Sequence, residues 1–188
     1  MRHRISTRDI MIDDLDDLFK GEKAECLYSD PPWGLGNLKY WRTMNEQKGH
    51  NVDWFRFLER IRFLYERHVK GPLFIETGIR FENDLVKVFG KTSARYEILY
   101  GSGRKKLPNI LLCWGAVPGQ SPAGMTGFDV PYTVLSSLPV IPKSVFDCCV
   151  GLGTTAKVCK KIGAVCYANE LNPKRAASTM KILDFERV

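Results

Sequence analysis

Along this 188-residue chain, short and nearly continuous apolar runs alternate with longer stretches in which apolar side chains recur every three or four positions. The first pattern marks buried strands and the second amphipathic helices. It predicts strands over Arg2 to Thr7, Ala24 to Ser29, Leu73 to Glu76, Tyr96 to Tyr100, Asn109 to Trp114, Val145 to Val150 and Ala164 to Glu170. Helices are predicted over Ile12 to Phe19, Val52 to Val69, Phe81 to Phe89, Tyr132 to Leu138, Thr154 to Ile162 and Lys174 to Leu183. Gly21, Gly71-Pro72 and Gly90 punctuate them, Pro31-Pro32 must end the second strand, and the segment after Asp30 reads as a loop. Strands alternating with helices at this spacing give an α/β fold with a mostly parallel sheet and a single domain over residues 1–188.

Composition narrows the class. With 44% apolar and 26% charged residues the chain is an ordinary globular sequence, not a disordered or collagen-like one. No apolar run approaches the roughly 18 residues of a membrane span, and the basic start Met1-Arg2-His3-Arg4 is followed by no apolar segment. The expectation is no membrane association, no signal peptide and cytoplasmic residence. Six cysteines form no Cys-x-x-Cys pair and lie far from the three histidines, His3, His50 and His68. They read as reduced, buried small hydrophobes, and no metal site is expected. The net charge of +7 is uneven: residues 95–188 carry 12 basic and 6 acidic side chains. A basic half attracts polyanions through phosphate contacts, though it serves equally as a solvated surface.

Two motifs carry chemistry. In Asp147-Cys148-Cys149-Val150-Gly151-Leu152-Gly153-Thr154-Thr155 a strand end passes through two glycines into a helix, so the backbone can approach a ligand and helix N–H groups face it. Glu170 closes the next strand 19 residues after Gly151, the spacing at which a carboxylate reaches a ribose hydroxyl in nucleotide-binding α/β folds. The third glycine of a dinucleotide fingerprint is replaced by the Thr154-Thr155-Ala156 helix start. A nucleoside-bearing cofactor without a pyrophosphate therefore fits better than NAD.

The second motif is Asp30-Pro31-Pro32-Trp33, also at a strand end. A fixed backbone lets the Asp30 carboxylate and a proline carbonyl accept together, which suits an amino group with two protons. Trp33 either offers a flat face for a base or caps a buried proline turn. Asn37, Tyr40 and Trp41 could close over that base, with Tyr40 and Trp41 alternatively belonging to the core. Asp9, Asp30, Glu76, Asp147 and Glu170 all fall at or near the carboxyl ends of predicted strands, where ligands gather in doubly wound sheets.

On these residues the chain resembles the S-adenosylmethionine-dependent amino-methyltransferases, in particular the DNA N6-adenine and N4-cytosine group. Phe146 to Pro173, with Gly151, Gly153, Thr154, Thr155, Glu170, Asn172 and Pro173, resembles the family's cofactor region, and Asp30 to Trp33 its amine-binding motif. Because the amine motif precedes the cofactor motif, the order resembles the circularly permuted, beta-type arrangement.

The resemblance implies a Rossmann-like class I methyltransferase fold with helices on both faces of the sheet. It implies S-adenosyl-L-methionine as cofactor, Asp30, Pro31, Pro32 and Trp33 as the catalytic set, and Asp9, Asp147, Cys149, Gly151, Gly153, Thr154, Thr155, Glu170 and Asn172 as cofactor-binding. Asp9 serves either the donor's adenine or as a cap, and Asp147 is either a cofactor-side carboxylate or a turn stabiliser.

Two departures stand out. Cys149 occupies a position where the family usually has an aromatic residue. Bacterial DNA enzymes more often have Tyr or Phe where Trp33 stands, whereas Trp occurs in the related eukaryotic mRNA N6-adenosine methyltransferases, which leaves RNA as a substrate beside DNA. Only Ser102 to Pro108, with Arg104, Lys105 and Lys106, and the Gly115 to Gly127 loop can read sequence, and no separate target-recognition domain is expected. Recognition would then be loose, aimed at a small or single-stranded target, or supplied by a homodimer partner or separate subunit.

The function expected is methyl transfer to the N6 amine of adenine in DNA. RNA, a protein amide or a small molecule is the alternative acceptor. A silent nucleic-acid-binding subunit is the alternative to an enzyme, one whose signature would be loss of the Asp30 to Trp33 motif.

Overall fold

The computed structural model describes residues 2–45, 52–102 and 105–188. The strands are β1 (His3–Ser6), β2 (Cys26–Ser29), β3 (Leu73–Thr77), β4 (Ala94–Ser102), β5 (Lys105–Trp114), β6 (Ser144–Asp147), β7 (Val165–Asn169) and β8 (Phe185–Arg187). The helices are α1 (Asp16–Phe19), α2 (Gly34–Met44), α3 (Trp54–His68), α4 (Glu82–Phe89), α5 (Asp129–Ser136), α6 (Thr154–Ile162) and α7 (Pro173–Met180).

The strands form one sheet in the order β4-β5-β3-β2-β6-β7-β1-β8, in which β5 alone runs against its neighbours. Each central strand is apolar on both sides because both faces are covered. Leu27, Leu73, Ile75, Ile110 and Leu112 pack with α1 to α4, while Cys26, Tyr28, Phe74, Leu111 and Cys113 pack with α5 to α7. All six cysteines are free, and all are buried except Cys149.

Four elements differ from the sequence reading. The helix expected from Ile12 forms only over Asp16–Phe19, because Asp9 and Asp13 side chains accept the Met11 and Leu15 N–H groups and fold the chain into turns first. The loop expected after Asp30 is instead α2. Its two glycines hide the helix from a propensity reading, yet Gly34 (φ +71°) is required where an added Cβ would lie 2.3 Å from the Phe81 ring. Most of the expected Ser102 to Pro108 loop is ladder, with Ser102 opposite Lys105 and Leu99 opposite Pro108. β8, added at the far edge beside β1, was not foreseen. Arg104 and His50 lie outside the described residues.

Among the described residues no helix is long and apolar enough to cross a membrane, and no group of three or more His, Cys, Asp or Glu side chains is placed to hold a metal ion.

Candidate active site

Strands β3, β2 and β6 are neighbours, all parallel, and their carboxyl ends open into one cavity of about 450 Å³. Asp30, Pro31, Pro32 and Trp33 line it together with Asp9, Asp147, Cys149, Gly151, Thr154, Thr155 and Glu170. The two motifs, remote in sequence, thus share one chamber because β2 pairs directly with β6, Leu27 opposite Phe146.

Gly153 and Asn172 do not reach the cavity wall. Gly153 (φ +84°) lets the turn press onto the end of α7, where a Cβ would meet Ile182 at 2.4 Å. Asn172 caps α7, its Oδ1 accepting the Lys174 and Arg175 N–H groups at 2.9 and 3.1 Å.

The glycine-turn side is built from carboxylates already held by donors. Asp147, 3% exposed, accepts from the Ser29 hydroxyl at 2.7 Å, the Thr155 hydroxyl at 2.6 Å and the Cys149 N–H at 3.0 Å. Burial pushes it up to about 6, and those three hydrogen bonds hold it from going higher. Glu170 accepts from the Gly151 and Asn172 N–H groups at 2.8 and 2.9 Å, so it both ties the turn to β7 and keeps lone pairs facing the cavity. Contact with the Cys148 thiol, and then burial, push Cys149 well above the ordinary thiol range, so it lines the chamber as a neutral group.

Asp9 is claimed by an ion pair. Both its oxygens meet Arg42 of α2 at 2.9 Å, and the side chains are 10% and 6% exposed. This bidentate contact pins α2 to the end of β1, while Oδ1 also accepts the Met11 N–H. Asp9 therefore stabilises the turn and braces the chamber wall. Trp41, also on α2, lies on that wall under the Arg175 guanidinium, 4.3 Å from its ring centroid. Tyr40 is 55% exposed, so neither aromatic residue is a core residue.

The amine-motif side is arranged differently. Asp30 opens onto the cavity and accepts a hydrogen bond from the Trp33 indole N–H at 2.8 Å. Its side chain is exposed to solvent in the crevice, yet the protein packed around it pushes its carboxyl up to about 7, the Trp33 hydrogen bond opposing this and the nearby Asp147 adding to it. Trp33 thus orients Asp30 as well as offering a ring face, and it packs edge-on to Tyr100 at 4.8 Å. Tyr28 and Glu76 complete this side: the Tyr28 hydroxyl donates to Glu76 Oε1 at 2.6 Å. Burial, and then Asp30, push Glu76 up to about 8. From the sequence Glu76 is only one of several strand-end carboxylates, and Tyr28, Arg42 and Arg175 carry no signal at all, because their partners lie on other elements.

No protein-family model matches the sequence, and no curated protein matches it. Among solved structures, the chain is similar to M1.HpyAVI in complex with SAM (TM-score 0.70, 15% identity, covering 96% of this chain and 98% of that one). It is also similar to TTHA0409, a DNA modification methylase by name from Thermus thermophilus, complexed with S-adenosyl-L-methionine (TM-score 0.59, 16% identity, 99% and 98% covered). A third similar structure is the cytosine-N4-specific PvuII DNA methyltransferase (TM-score 0.61, 11% identity, 95% and 85% covered). At these identities the likeness is one of fold: the chain has the class I methyltransferase fold, with the Asp30 strand preceding the Gly151 strand along the sequence.

Proposed function

We propose that this protein is an S-adenosylmethionine-dependent methyltransferase acting on the exocyclic amine of a nucleic-acid base, N6 of adenine in DNA. The observation that carries the reading is that Asp30-Pro31-Pro32-Trp33 and the Gly151 turn wall the same cavity. The structures it resembles support it, two of them solved with S-adenosylmethionine and one a DNA methyltransferase by name.

The residues present fit the cofactor. Glu170 offers lone pairs to a ribose diol beside a glycine turn that admits close backbone approach, Thr154 is exposed at the helix start, and Asp147 supplies a buried carboxylate. Asn172 acts as a cap for that wall, and Gly153 as its packing point. When bound, S-adenosylmethionine supplies a methyl group activated by its sulfonium. Asp30 and the Pro31 carbonyl accept hydrogen bonds from the two amine N–H groups, which raises electron density on nitrogen and favours its tetrahedral geometry. As the new N–C bond forms, the nitrogen sheds one proton, and Asp30, raised to about 7, is matched to receive it.

A base reaches this chamber by leaving its stack, at a cost of a few kcal/mol that is least for single strands. Tyr100, Gly101, Thr126 and Gly127 border the chamber, so the β4–β5 hairpin and the loop before α5 are the elements that meet the flanking nucleic acid. With so few elements for base readout, recognition is loose or comes from a second copy or subunit.

The test is methyl transfer from labelled S-adenosylmethionine to DNA, RNA and protein in parallel, followed by nucleoside analysis. N6-methyladenine in DNA is expected. N4-methylcytosine, or transfer to RNA, would replace the acceptor, and no transfer together with no cofactor uptake in calorimetry would overturn the reading.

A further inference from the structure

Resting on that reading, Glu76 is a buried carboxyl that the chemistry above does not use. It is 9% exposed, sits at the carboxyl end of β3 and has no cation beside it among the described residues. Its one hydrogen bond there is the 2.6 Å contact in which Tyr28 donates to Oε1, leaving Oε2 without a partner on the cavity side. Tyr28 lies opposite Phe74 and Ser29 opposite Ile75. Continuing that register sets Asp30 beside Glu76 on the same face of the sheet, about 5 Å apart between neighbouring strands.

Two carboxyls on neighbouring strands of one crevice disfavour ionising together, because like charges repel, and burial adds its penalty to Glu76 while Asp30 stays exposed. The group with the weaker support holds the proton. Asp30 has the indole donor and opens to the cavity, whereas Glu76 is the more enclosed and faces Asp30. The Tyr28 hydroxyl is itself pushed far up by burial and by Glu76, so it stays a donor and fixes which oxygen is free to carry the acid proton.

We propose that Glu76, oriented by Tyr28, donates a hydrogen bond from an Oε2 hydroxyl to the ring nitrogen adjacent to the target amine. Asp30 and Glu76 then form an acceptor and a donor in register, the complement of an amine next to an unprotonated ring nitrogen. That pair of groups occurs as N6 and N1 in adenine and as N4 and N3 in cytosine. Glu76 is thus a specificity-determining residue that checks the edge of the base before transfer. No bond is made or broken at Glu76, and its proton stays shared in the hydrogen bond.

The test compares an oligonucleotide bearing adenine with one bearing 1-deazaadenine, in which a C–H replaces N1, for wild type, Glu76→Gln and Glu76→Met. If nucleoside analysis identifies cytosine as the acceptor, 3-deazacytosine takes its place. Wild-type kcat/KM should fall about ten- to hundred-fold on the deaza base, mainly through KM, since a buried donor is left unpaired. Glu76→Gln keeps an N–H donor and should keep the discrimination, but its KM should no longer rise with pH as the wild type's does above about 8, where Glu76 ionises. Glu76→Met should treat both bases alike. Wild type acting equally on the two bases, or Glu76→Met still discriminating, overturns the proposal while leaving methyl transfer intact. No transfer to the unmodified base overturns both.

Discussion

The two walls of the chamber use the same residue type to opposite ends. At the glycine turn, Asp147 is met by three hydrogen-bond donors and rises only to about 6 despite being buried. Across the cavity, Asp30 has one donor and reaches about 7, and Glu76 has one and reaches about 8. Burial does not set this order, since Asp30 is the most exposed of the three; the number of donors aimed at each oxygen and the company of other carboxyls do. On the proposed function, one wall is preorganised to hold a cofactor, and the other is left short of donors so that a base can supply them.

The sharpest way to break this contrast is Asp30→Ala. It should lower kcat by about a thousand-fold or more while leaving the cofactor Kd within a few-fold, as read by single-turnover assay and calorimetry. Full activity would remove the chemistry from this wall. Asp147→Ala should act the other way, on structure: it strands the Ser29 and Thr155 hydroxyls and the Cys149 N–H, costing about 2–3 kcal/mol in a denaturant titration and weakening cofactor binding.

Trp33→Phe keeps a ring but removes the donor to Asp30. We expect kcat to fall about ten-fold and the acid limb of its pH profile to move to higher pH, since that hydrogen bond lowers the Asp30 carboxyl.

The smallest expected effect is on stability. The folded state holds a proton on buried Glu76 up to about 8, whereas the unfolded chain releases it near 4. The native state then binds more protons between those limits, so stability falls as pH rises from about 4 to 8. Glu76→Gln removes its share of that loss and should raise Tm by about 2–5 °C at pH 8.5 but not at pH 4, in a calorimetric scan.

The alternation of strand and helix was legible because buried parallel strands must be apolar on both faces and helices on one. The strand-end motifs Asp30 to Trp33 and Gly151 to Thr155 were legible because prolines and glycines there have few other uses. α2 was not: Gly34 and Gly36 lower its helix propensity, and it forms because Leu38 and Arg42 bury against the rest of the chain. The Ile12 helix failed for the converse reason, its acidic side chains capturing local N–H groups before a helix closes.

The sequence by itself determined which stretches could be strands, where their ligand-facing ends lay, and which residue types stood there. Only the tertiary structure decided that β2 lies against both β6 and β3, and so that Asp30 faces the Gly151 turn on one side and Glu76 on the other. A carboxylate's identity is local, but its proton affinity is set by donors and charges that other strands bring to it, and those partners become neighbours only when the sheet is assembled.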